Sequence, residues 1–197
     1  AVGRVQQALK FEGIQSGDRI VTLLPNGPEA VIFFLAAASL GAIYSSTSPD
    51  FGSAGVLDRF GQIEPKILVA TDSYSYGGVR HDITGKVTQI ADELPSLRRV
   101  VLVSYGDAAI DCEIPSSILL EDWIANTEER EPEFVQLGFD HPIYVLYSSG
   151  TTGKPKCIVH KAGGVLLKHW SEHLLHCDLR SGDRLMYFTT TGWMMWN

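Results

Sequence analysis

Hydrophobic positions along the chain alternate between short continuous runs and segments with helical spacing. Continuous runs predict strands buried on both faces, and they lie at 19–24, 42–46, 67–70, 100–104, 143–147, 157–160 and 185–188. Apolar residues three and four positions apart predict helices, which lie in the first turns of the chain and at 28–40, 54–62, 83–94, 119–126 and 163–176. Strands separated by helices form βαβ units, so the predicted fold class is α/β, a mostly parallel β-sheet flanked by helices.

Composition narrows the possible partners. Hydrophobic residues make up 45% of the chain and charged residues 20%, as in a globular protein with a packed core. The net charge of −7 and the lack of a basic cluster argue against nucleic acid and anionic membranes as partners. The longest apolar run, 30–40, is shorter than the roughly 20 residues that span a bilayer. Cys112, Cys157 and Cys177 are widely spaced, which favours free thiols and a cytoplasmic protein.

The strongest chemical signal is the segment 147–156, which follows a predicted strand. It reads Tyr-Ser-Ser-Gly-Thr-Thr-Gly-Lys-Pro-Lys. Glycines allow several backbone N–H groups to converge on an anion, hydroxyls donate to phosphate oxygens, and the lysines supply positive charge. The segment therefore predicts a site for a triphosphate or pyrophosphate group. The alternative is a solvated loop that happens to be rich in Ser, Thr and Gly.

This segment differs from the two commonest nucleotide-binding motifs. A Walker loop needs a wider glycine spacing and a Ser or Thr after its lysine, whereas Pro155 follows Lys154 here. A predicted strand, 157–160, follows the segment instead of a helix. The chain also has no G-x-G-x-x-G fingerprint of the Rossmann type.

The segment resembles the phosphate-binding signature of the adenylate-forming superfamily, which includes acyl-CoA synthetases, luciferases and peptide-synthetase adenylation domains. Flanking segments resemble acetoacetyl-CoA synthetases in particular; these are 36–52, 56–60, 159–164, 172–176 and 190–197. Acetyl- and propionyl-CoA synthetases share the glycine pair after His160 but not the run at 190–197. The resemblance covers nearly the whole chain and is weakest over 73–140.

The resemblance implies an ATP-dependent acid–thiol ligase. Such an enzyme activates acetoacetate as an acyl-AMP and transfers the acyl group to CoA, using ATP, Mg²⁺ and CoA. One alternative is a CoA synthetase for another short acid, such as acetate, propionate or butyrate. A second alternative is a non-catalytic nucleotide-binding module of the same fold.

The resemblance also assigns roles to individual residues. It implies that the ATP phosphates are held by Ser148, Ser149, Gly150, Thr151, Thr152, Gly153, Lys154 and Lys156, and that Lys156 is the catalytic phosphate lysine. It makes Trp193, Met194 and Met195 candidates for the acyl pocket, with plain core packing as the alternative. Family members have glycine where this chain has Cys157, so we expect either that this side chain faces away from the nucleotide or that the loop is slightly altered. The turn at 48–50 aligns with a region that meets CoA in relatives, although the family glycines are missing.

The ends of the chain suggest a fragment of a larger enzyme. Residue 1 is not Met, and residues 193–197 form an apolar aromatic cluster. We expect residues 1–197 to belong to a large N-terminal adenylation domain, with about 18–163 as one α/β subdomain. Residues 1–17 and 164–197 are then parts of the adjacent subdomain. The resemblance places further catalytic groups outside this chain, so the partners are the small-molecule substrates and the remainder of the enzyme, and the fragment alone is expected to be inactive.

One histidine cluster is a weaker candidate for chemistry. His169, His173 and His176 share a helical face, which could seat a metal ion. Because the segment is not H-E-x-x-H, a solvated face or a face between subdomains is favoured, and no metal site is predicted. For His160, just past the predicted phosphate loop, a structural role is favoured over contact with the nucleotide or acyl group.

Overall fold

The structure, a computed structural model, describes residues 1–106, 114–148 and 153–197. The helices are α1 (Val2–Phe11), α2 (Pro28–Ser39), α3 (Ser53–Phe60), α4 (Thr84–Asp92), α5 (Leu120–Trp123) and α6 (Ala162–Ser171), and a π-helical turn, Glu172–His176, continues α6. The strands are β1 (Arg19–Leu23), β2 (Ile43–Thr47), β3 (Ile67–Thr71), β4 (Ser73–Tyr76), β5 (Val79–Asp82), β6 (Arg99–Val103), β7 (Ser117–Leu119), β8 (Pro142–Ser148) and β9 (Lys156–Lys161).

Seven of these strands form one sheet in the order β7-β6-β3-β1-β2-β8-β9. All neighbours pair in parallel except β8 and β9, which form an antiparallel hairpin. The predicted α/β class, with a mostly parallel sheet flanked by helices, is therefore confirmed. The carboxyl ends of the parallel strands lie along one side of the sheet, which we call the carboxyl edge; β1 ends there at Leu23, β2 at Thr47 and β8 at Ser148.

Both faces of the sheet are covered, because successive side chains of a strand point to opposite sides. In β1, Ile20 belongs to the core cluster that includes the buried residues of α1 and α2, and Val21 belongs to the cluster that includes those of α3 and α4. The first core contains a stack of Phe33 on Trp123, with ring centroids 5.9 Å apart. Among the described residues, no helix is long and apolar enough to cross a membrane.

Helix α1 packs along α2 and contributes Val5 and Leu9 to the first core. Of residues 164–197, Thr191 alone is buried, while Val165 and Trp196 are partly buried against the first core. The division of the chain into subdomains stays a prediction.

Three strands were not predicted. Strand β7 pairs with the edge of β6, and β4 and β5 form a separate antiparallel hairpin. The hairpin turns at Gly77 and Gly78, whose φ angles of +58° and +78° suit the two central positions of a type I′ turn. The Gly-Gly pair was the available signal for this hairpin.

The buried carboxylate of Asp72 joins the hairpin to the end of β6. It accepts hydrogen bonds from the backbone N–H of Tyr105 at 3.0 Å and from the hydroxyls of Ser73 and Ser104. Burial acts to raise the pKa of Asp72, but these hydrogen bonds together hold the pKa below its usual value. The group is therefore ionised at neutral pH and fully partnered.

The predicted strand at 185–188 is wrong. Leu185, Met186, Tyr187 and Phe188 lie in irregular structure and are between 60% and 80% exposed. A strand needs a neighbour for its backbone N–H and C=O groups, and the described part of the chain places none beside this segment. Its apolar run therefore gave a strand signal without the partner that a strand requires.

Two helix predictions are only partly correct. The helix predicted at 163–176 is α-helical to Ser171 and then widens into the π-helical turn, whose end is marked by a bond from Cys177 N to Glu172 O. The helix predicted at 119–126 is a single turn, α5.

An irregular segment, 128–135, is attached to α1 by two buried glutamines. The Gln6 side-chain amide accepts from Glu133 N and donates to Glu133 O. The Gln7 amide makes the same pair of bonds with Glu128 N and O. Each amide reproduces the donor and acceptor of a neighbouring backbone, so the segment has backbone partners without being a strand.

Replacing Gln6 by Leu should destabilise the full-length protein, because the Glu133 N–H and C=O lose their partner. We expect a loss of about 1–3 kcal/mol in the free energy of unfolding, measured by urea denaturation. Gln89→Leu is the matched control. Gln89 is exposed, and its side chain bonds locally, to Glu93, the residue that caps the end of α4. Equal stability of the Gln6→Leu and Gln89→Leu proteins would contradict the role given to Gln6.

Candidate functional site

The predicted phosphate-binding segment joins β8 to β9 at the carboxyl edge. Ser148 pairs with Lys156, and Tyr147 pairs with Cys157, across the base of the hairpin. The hydroxyl side and the lysine side of the segment therefore start next to each other. Ser149, Gly150, Thr151 and Thr152 lie outside the described residues.

The described part of the loop is largely exposed, and its backbone at Gly153 has a conformation that favours glycine. The φ angle of Gly153 is +122°. A Cβ built there would meet no atom within 4 Å, so the space around it is open. Lys154 and Lys156 are exposed. Among the described residues Lys156 enters no ion pair, whereas Lys154 Nζ lies 4.0 Å from Asp58 Oδ1.

Tyr147 anchors the carboxyl end of β8 to β2. Its hydroxyl lies 3.2 Å from Ser45 Oγ, and Ser45 Oγ donates to Val145 O at 2.7 Å. Burial raises the pKa of Tyr147, so the phenol stays neutral at physiological pH. This neutral, hydrogen-bonded side chain is part of the framework that holds the loop.

Cys157 occupies the strand position after Lys156. Because side chains alternate along a strand, the Cys157 thiol and the Lys156 ammonium point to opposite faces of the hairpin. Cys157 is partly buried, and burial raises the pKa of its thiol, so it is uncharged at neutral pH. Its orientation relative to a bound nucleotide stays a prediction.

The segment 189–197 docks on the carboxyl edge at the ends of β1 and β2. Thr191 Oγ1 donates to Leu24 O at 2.7 Å, and Ser46 Oγ donates to Thr191 O at 2.7 Å. Trp196 Nε1 donates to Asn26 Oδ1 at 2.9 Å. These bonds place the predicted acyl-pocket residues on the same side of the sheet as the β8–β9 loop.

Gly192 lies against the turn that follows β2. A Cβ at this position would be 2.9 Å from the Phe51 ring and 3.1 Å from Ser48 N. A side chain here would therefore crowd the Ser48 backbone and displace the Phe51 ring, so glycine is favoured. Phe51 in turn lies 4.9 Å from the guanidinium of Arg59, so one ring connects the 189–197 segment to α3.

The predicted acyl-pocket residues are accessible. Trp193, Met194 and Met195 are 54%, 40% and 65% exposed. Core packing within the described chain therefore does not account for them. A cavity of about 250 Å³ between α1, α2 and α5 includes none of the predicted site residues.

The histidines do not assemble a metal centre in the described part of the chain. The rings of His169 and His173 lie 6.1 Å apart, but among the described residues no group of three or more His, Cys, Asp or Glu converges. Burial and the neighbouring His173 and His160 lower the pKa of His169. The His160 ring lies 5.0 Å from the Tyr144 ring, and its Nε2 is buried without a partner in that part of the chain.

Sequence reasoning did not single out two features of this edge. Strand β2 is buried yet ends in the hydroxyl run Ser45, Ser46 and Thr47, and its first two hydroxyls tie β8 and the 189–197 segment to it. A polar run at the carboxyl end of a buried strand was the available signal. The contact of Arg59 with the Tyr147 ring left no local signal, because these two residues are far apart in sequence.

Comparison with known proteins adds independent information. A sequence profile described as AMP-binding enzyme matches residues 1–196. The chain is 52% identical, over its whole length, to an acetoacetyl-coenzyme A synthetase of Rhizobium meliloti. It is 41% identical, again over its whole length, to a malonamoyl-CoA synthetase of Penicillium aethiopicum. A solved structure of acetoacetyl-CoA synthetase from Streptomyces lividans covers 99% of the chain at 45% identity with a TM-score of 0.91.

The matched proteins are much longer than this chain. It spans 30% of the Rhizobium relative, 28% of the Penicillium relative and 29% of the solved Streptomyces chain. The similarity therefore concerns one part of those proteins, the part that contains the sheet and the carboxyl edge described above.

Replacing Gly192 by Ala should detach the 189–197 segment from the carboxyl edge, because the added methyl group would collide with Phe51 and the Ser48 backbone. We expect faster amide hydrogen exchange across 189–197 in the full-length protein, measured by mass spectrometry. Gly164→Ala is the matched control, since a Cβ there meets no atom within 4 Å. Unchanged exchange in the Gly192→Ala protein would show that the segment does not depend on this close approach.

Proposed function

Because this chain belongs to the AMP-binding enzyme family, we propose that the full-length protein is an ATP-dependent acetoacetate–CoA ligase that releases AMP. The observation that carries the proposal is the common position of two features. The lysine-bearing β8–β9 loop and the exposed 193–195 segment both lie at the carboxyl edge, where open α/β sheets bind their ligands. The names of the relatives from Rhizobium and Streptomyces support acetoacetate as the acid.

The loop is proposed to bind the phosphates of ATP. The residues involved are Ser148, Ser149, Gly150, Thr151, Thr152, Gly153, Lys154 and Lys156. Lys156 is proposed as the catalytic lysine, since its exposed ammonium is not engaged by a carboxylate of the described chain. A lysine at this place stabilises the negative charge that moves onto the leaving pyrophosphate.

Trp193, Met194 and Met195 are proposed to contact the acyl group. Their exposed apolar surfaces suit the short carbon chain of acetoacetate. Their attachment to β1 and β2 through Thr191 holds them beside the turn that leads into α3. This attachment is how the fold would orient a small acid towards the α-phosphate of ATP.

The proposed reaction has two displacement steps. A carboxylate oxygen of acetoacetate attacks the α-phosphorus of ATP, the bond from that phosphorus to the bridging oxygen breaks, and pyrophosphate leaves with the electron pair. The CoA sulfur, after losing its proton, then attacks the acyl carbon, and AMP leaves as the carbon–oxygen bond breaks. Neither step needs a covalent bond to the protein, so positioning and charge stabilisation are the tasks of this chain.

Mg²⁺ is proposed to accompany ATP and to neutralise part of the triphosphate charge. The Ser148 hydroxyl, at the described start of the loop, is a hard oxygen donor of the kind that Mg²⁺ accepts.

The rival functions concern the acid and the presence of catalysis. Acetate, propionate and butyrate are alternative acids, and the Penicillium relative adds malonamate, which has an amide where acetoacetate has a methyl ketone. The Rhizobium relative is more similar, 52% against 41%, which favours acetoacetate. A non-catalytic nucleotide-binding module is the remaining alternative.

The deciding experiment measures pyrophosphate release by the full-length protein with each of these acids in the presence of ATP, Mg²⁺ and CoA. We expect kcat/KM to be highest for acetoacetate, because the more similar Rhizobium relative is named for that acid. A higher kcat/KM with another of the acids would identify that acid, instead of acetoacetate, as the substrate. ATP binding without pyrophosphate release for any acid would favour the non-catalytic module.

Lys156→Ala in the full-length protein should slow acid-dependent pyrophosphate release by about 10- to 100-fold, because charge on the leaving pyrophosphate loses its ammonium partner. Lys161→Ala is the matched control. Lys161 lies at the other end of β9, where it pairs with Asp140 at 2.8 Å in an exposed position. Equal rates of pyrophosphate release for the two variants would remove Lys156 from the mechanism.

A further inference from the structure

We propose that the end of α3 and the turn after it position the phosphate-binding loop from both sides. The residues concerned are Asp58, Arg59 and Gln62, which we call the α3 clamp. The inference rests on the proposed function in one respect, namely that the segment between β8 and β9 binds ATP phosphates. It adds residues that neither the sequence motif nor the family match assigns to that task.

Arg59 holds the side of the loop that enters from β8. Its guanidinium carbon lies 4.9 Å from the centroid of the Phe51 ring and 5.8 Å from that of the Tyr147 ring. Its Nη1 donates to Gly55 O at 2.6 Å, which fixes the side chain along α3. A planar guanidinium can stack on two rings, whereas an ammonium cannot. Arg59 therefore connects α3 to Tyr147, the residue before Ser148.

Gln62 and Asp58 contact the side of the loop that leads into β9. Gln62 Nε2 donates to Pro155 O at 2.9 Å and to Asp58 O at 2.6 Å, so its amide is held by both. Asp58 Oδ1 lies 4.0 Å from Lys154 Nζ. The two lysines flank Pro155, so the contact of Gln62 with its carbonyl lies between them.

The clamp matters because one short piece of chain contacts both flanks. Tyr147 precedes the loop and Pro155 lies near its end, and both touch residues that are three positions apart. Strand pairing already places Ser148 beside Lys156, and contacts at both flanks hold the loop against one helix end before a nucleotide arrives. Preorganisation of this kind reduces the cost of ordering the loop on binding.

The carboxylate of Asp58 is expected to oppose ATP binding, whereas the contacts of Arg59 and Gln62 are expected to favour it. This carboxylate lies 4.0 Å from the Lys154 ammonium, and the Asp58 and Lys154 side chains are 44% and 75% exposed. An ATP phosphate must compete with this carboxylate for the ammonium. Removing the charge of Asp58 is therefore expected to favour ATP, whereas removing the contacts of Arg59 or Gln62 is expected to oppose it.

The test uses full-length variants and measures the KM for ATP, the KM for acetoacetate, kcat and the thermal midpoint. Arg59→Leu and Gln62→Ala should raise the KM for ATP by about three- to tenfold, and more than they raise the KM for acetoacetate. Arg59→Lys should fall between wild type and Arg59→Leu, since it keeps the charge but loses the stack. Asp58→Asn should lower the KM for ATP.

Arg99→Leu is the matched control for lost packing. Arg99 is a partly buried arginine at the start of β6, with its Nε 2.8 Å from Glu12 Oε1, at the other end of the strands from the carboxyl edge. We expect this variant to lower the thermal midpoint and to leave the KM for ATP unchanged. If Arg99→Leu raised the KM for ATP as much as Arg59→Leu does, the effect would reflect general destabilisation, and the inference would be wrong.

Failure of the inference can be separated from failure of the proposed function. Wild-type activity combined with an unchanged KM for ATP in Arg59→Leu and Gln62→Ala would overturn the clamp alone. If no acid supports pyrophosphate release, the same variants are titrated with ATP at equilibrium. The inference then requires tighter ATP binding by Asp58→Asn than by wild type, and weaker binding by Arg59→Leu and Gln62→Ala. Absence of ATP binding by the wild-type protein would overturn both proposals.

Discussion

The pairing of β2 with β8 is the constraint on which the rest of the site depends. These strands are far apart in sequence, and their register places Tyr44 beside Tyr144. The Ser45 hydroxyl reaches Val145 O across the pair, and the Phe34 ring lies 5.2 Å from the Tyr44 ring and 5.9 Å from the Tyr144 ring. Without this pairing, the β8–β9 hairpin would have no place in the sheet, and its loop would not lie beside α3.

That pairing also explains why two chemically different segments lie at the same edge of the sheet. A parallel sheet brings the carboxyl ends of all its strands to one side, where backbone N–H and C=O groups are no longer used by the ladder. The polar end of β2 uses this position twice, since Ser45 ties down β8 and Ser46 ties down Thr191. The β8–β9 loop and the apolar 193–195 segment are thereby held by adjacent residues of one buried strand.

Much of the fold was predictable because its signals are local. The runs at 19–24, 67–70 and 100–104 are mostly hydrophobic, and a strand buried on both faces requires that pattern. The run at 185–188 carries a similar pattern without a strand beside it, because local hydrophobicity does not specify a pairing partner. The β4–β5 hairpin depended on two glycines and had little hydrophobic alternation, so its signal was easily missed.

The candidate site was predictable only in part. Lys154, Lys156 and Gly153 could be proposed from the sequence because the motif is contiguous. The α3 contacts were not, since Arg59 reaches rings at Phe51 and Tyr147 that come together only after the sheet forms. Contacts between residues so distant in sequence depend on strand order, and strand order was not specified by the periodicity of the chain.

The glutamine pair of α1 has a consequence for how the 128–135 segment can change. Gln6 and Gln7 recognise peptide groups, not side chains, so the identity of the side chains at Glu128 and Glu133 is irrelevant to these bonds. Natural variants can therefore carry side chains of different charge and size at positions 128 and 133 at little energetic cost. Proline is the exception, because it has no backbone N–H to donate to the side-chain oxygen of Gln6 or Gln7.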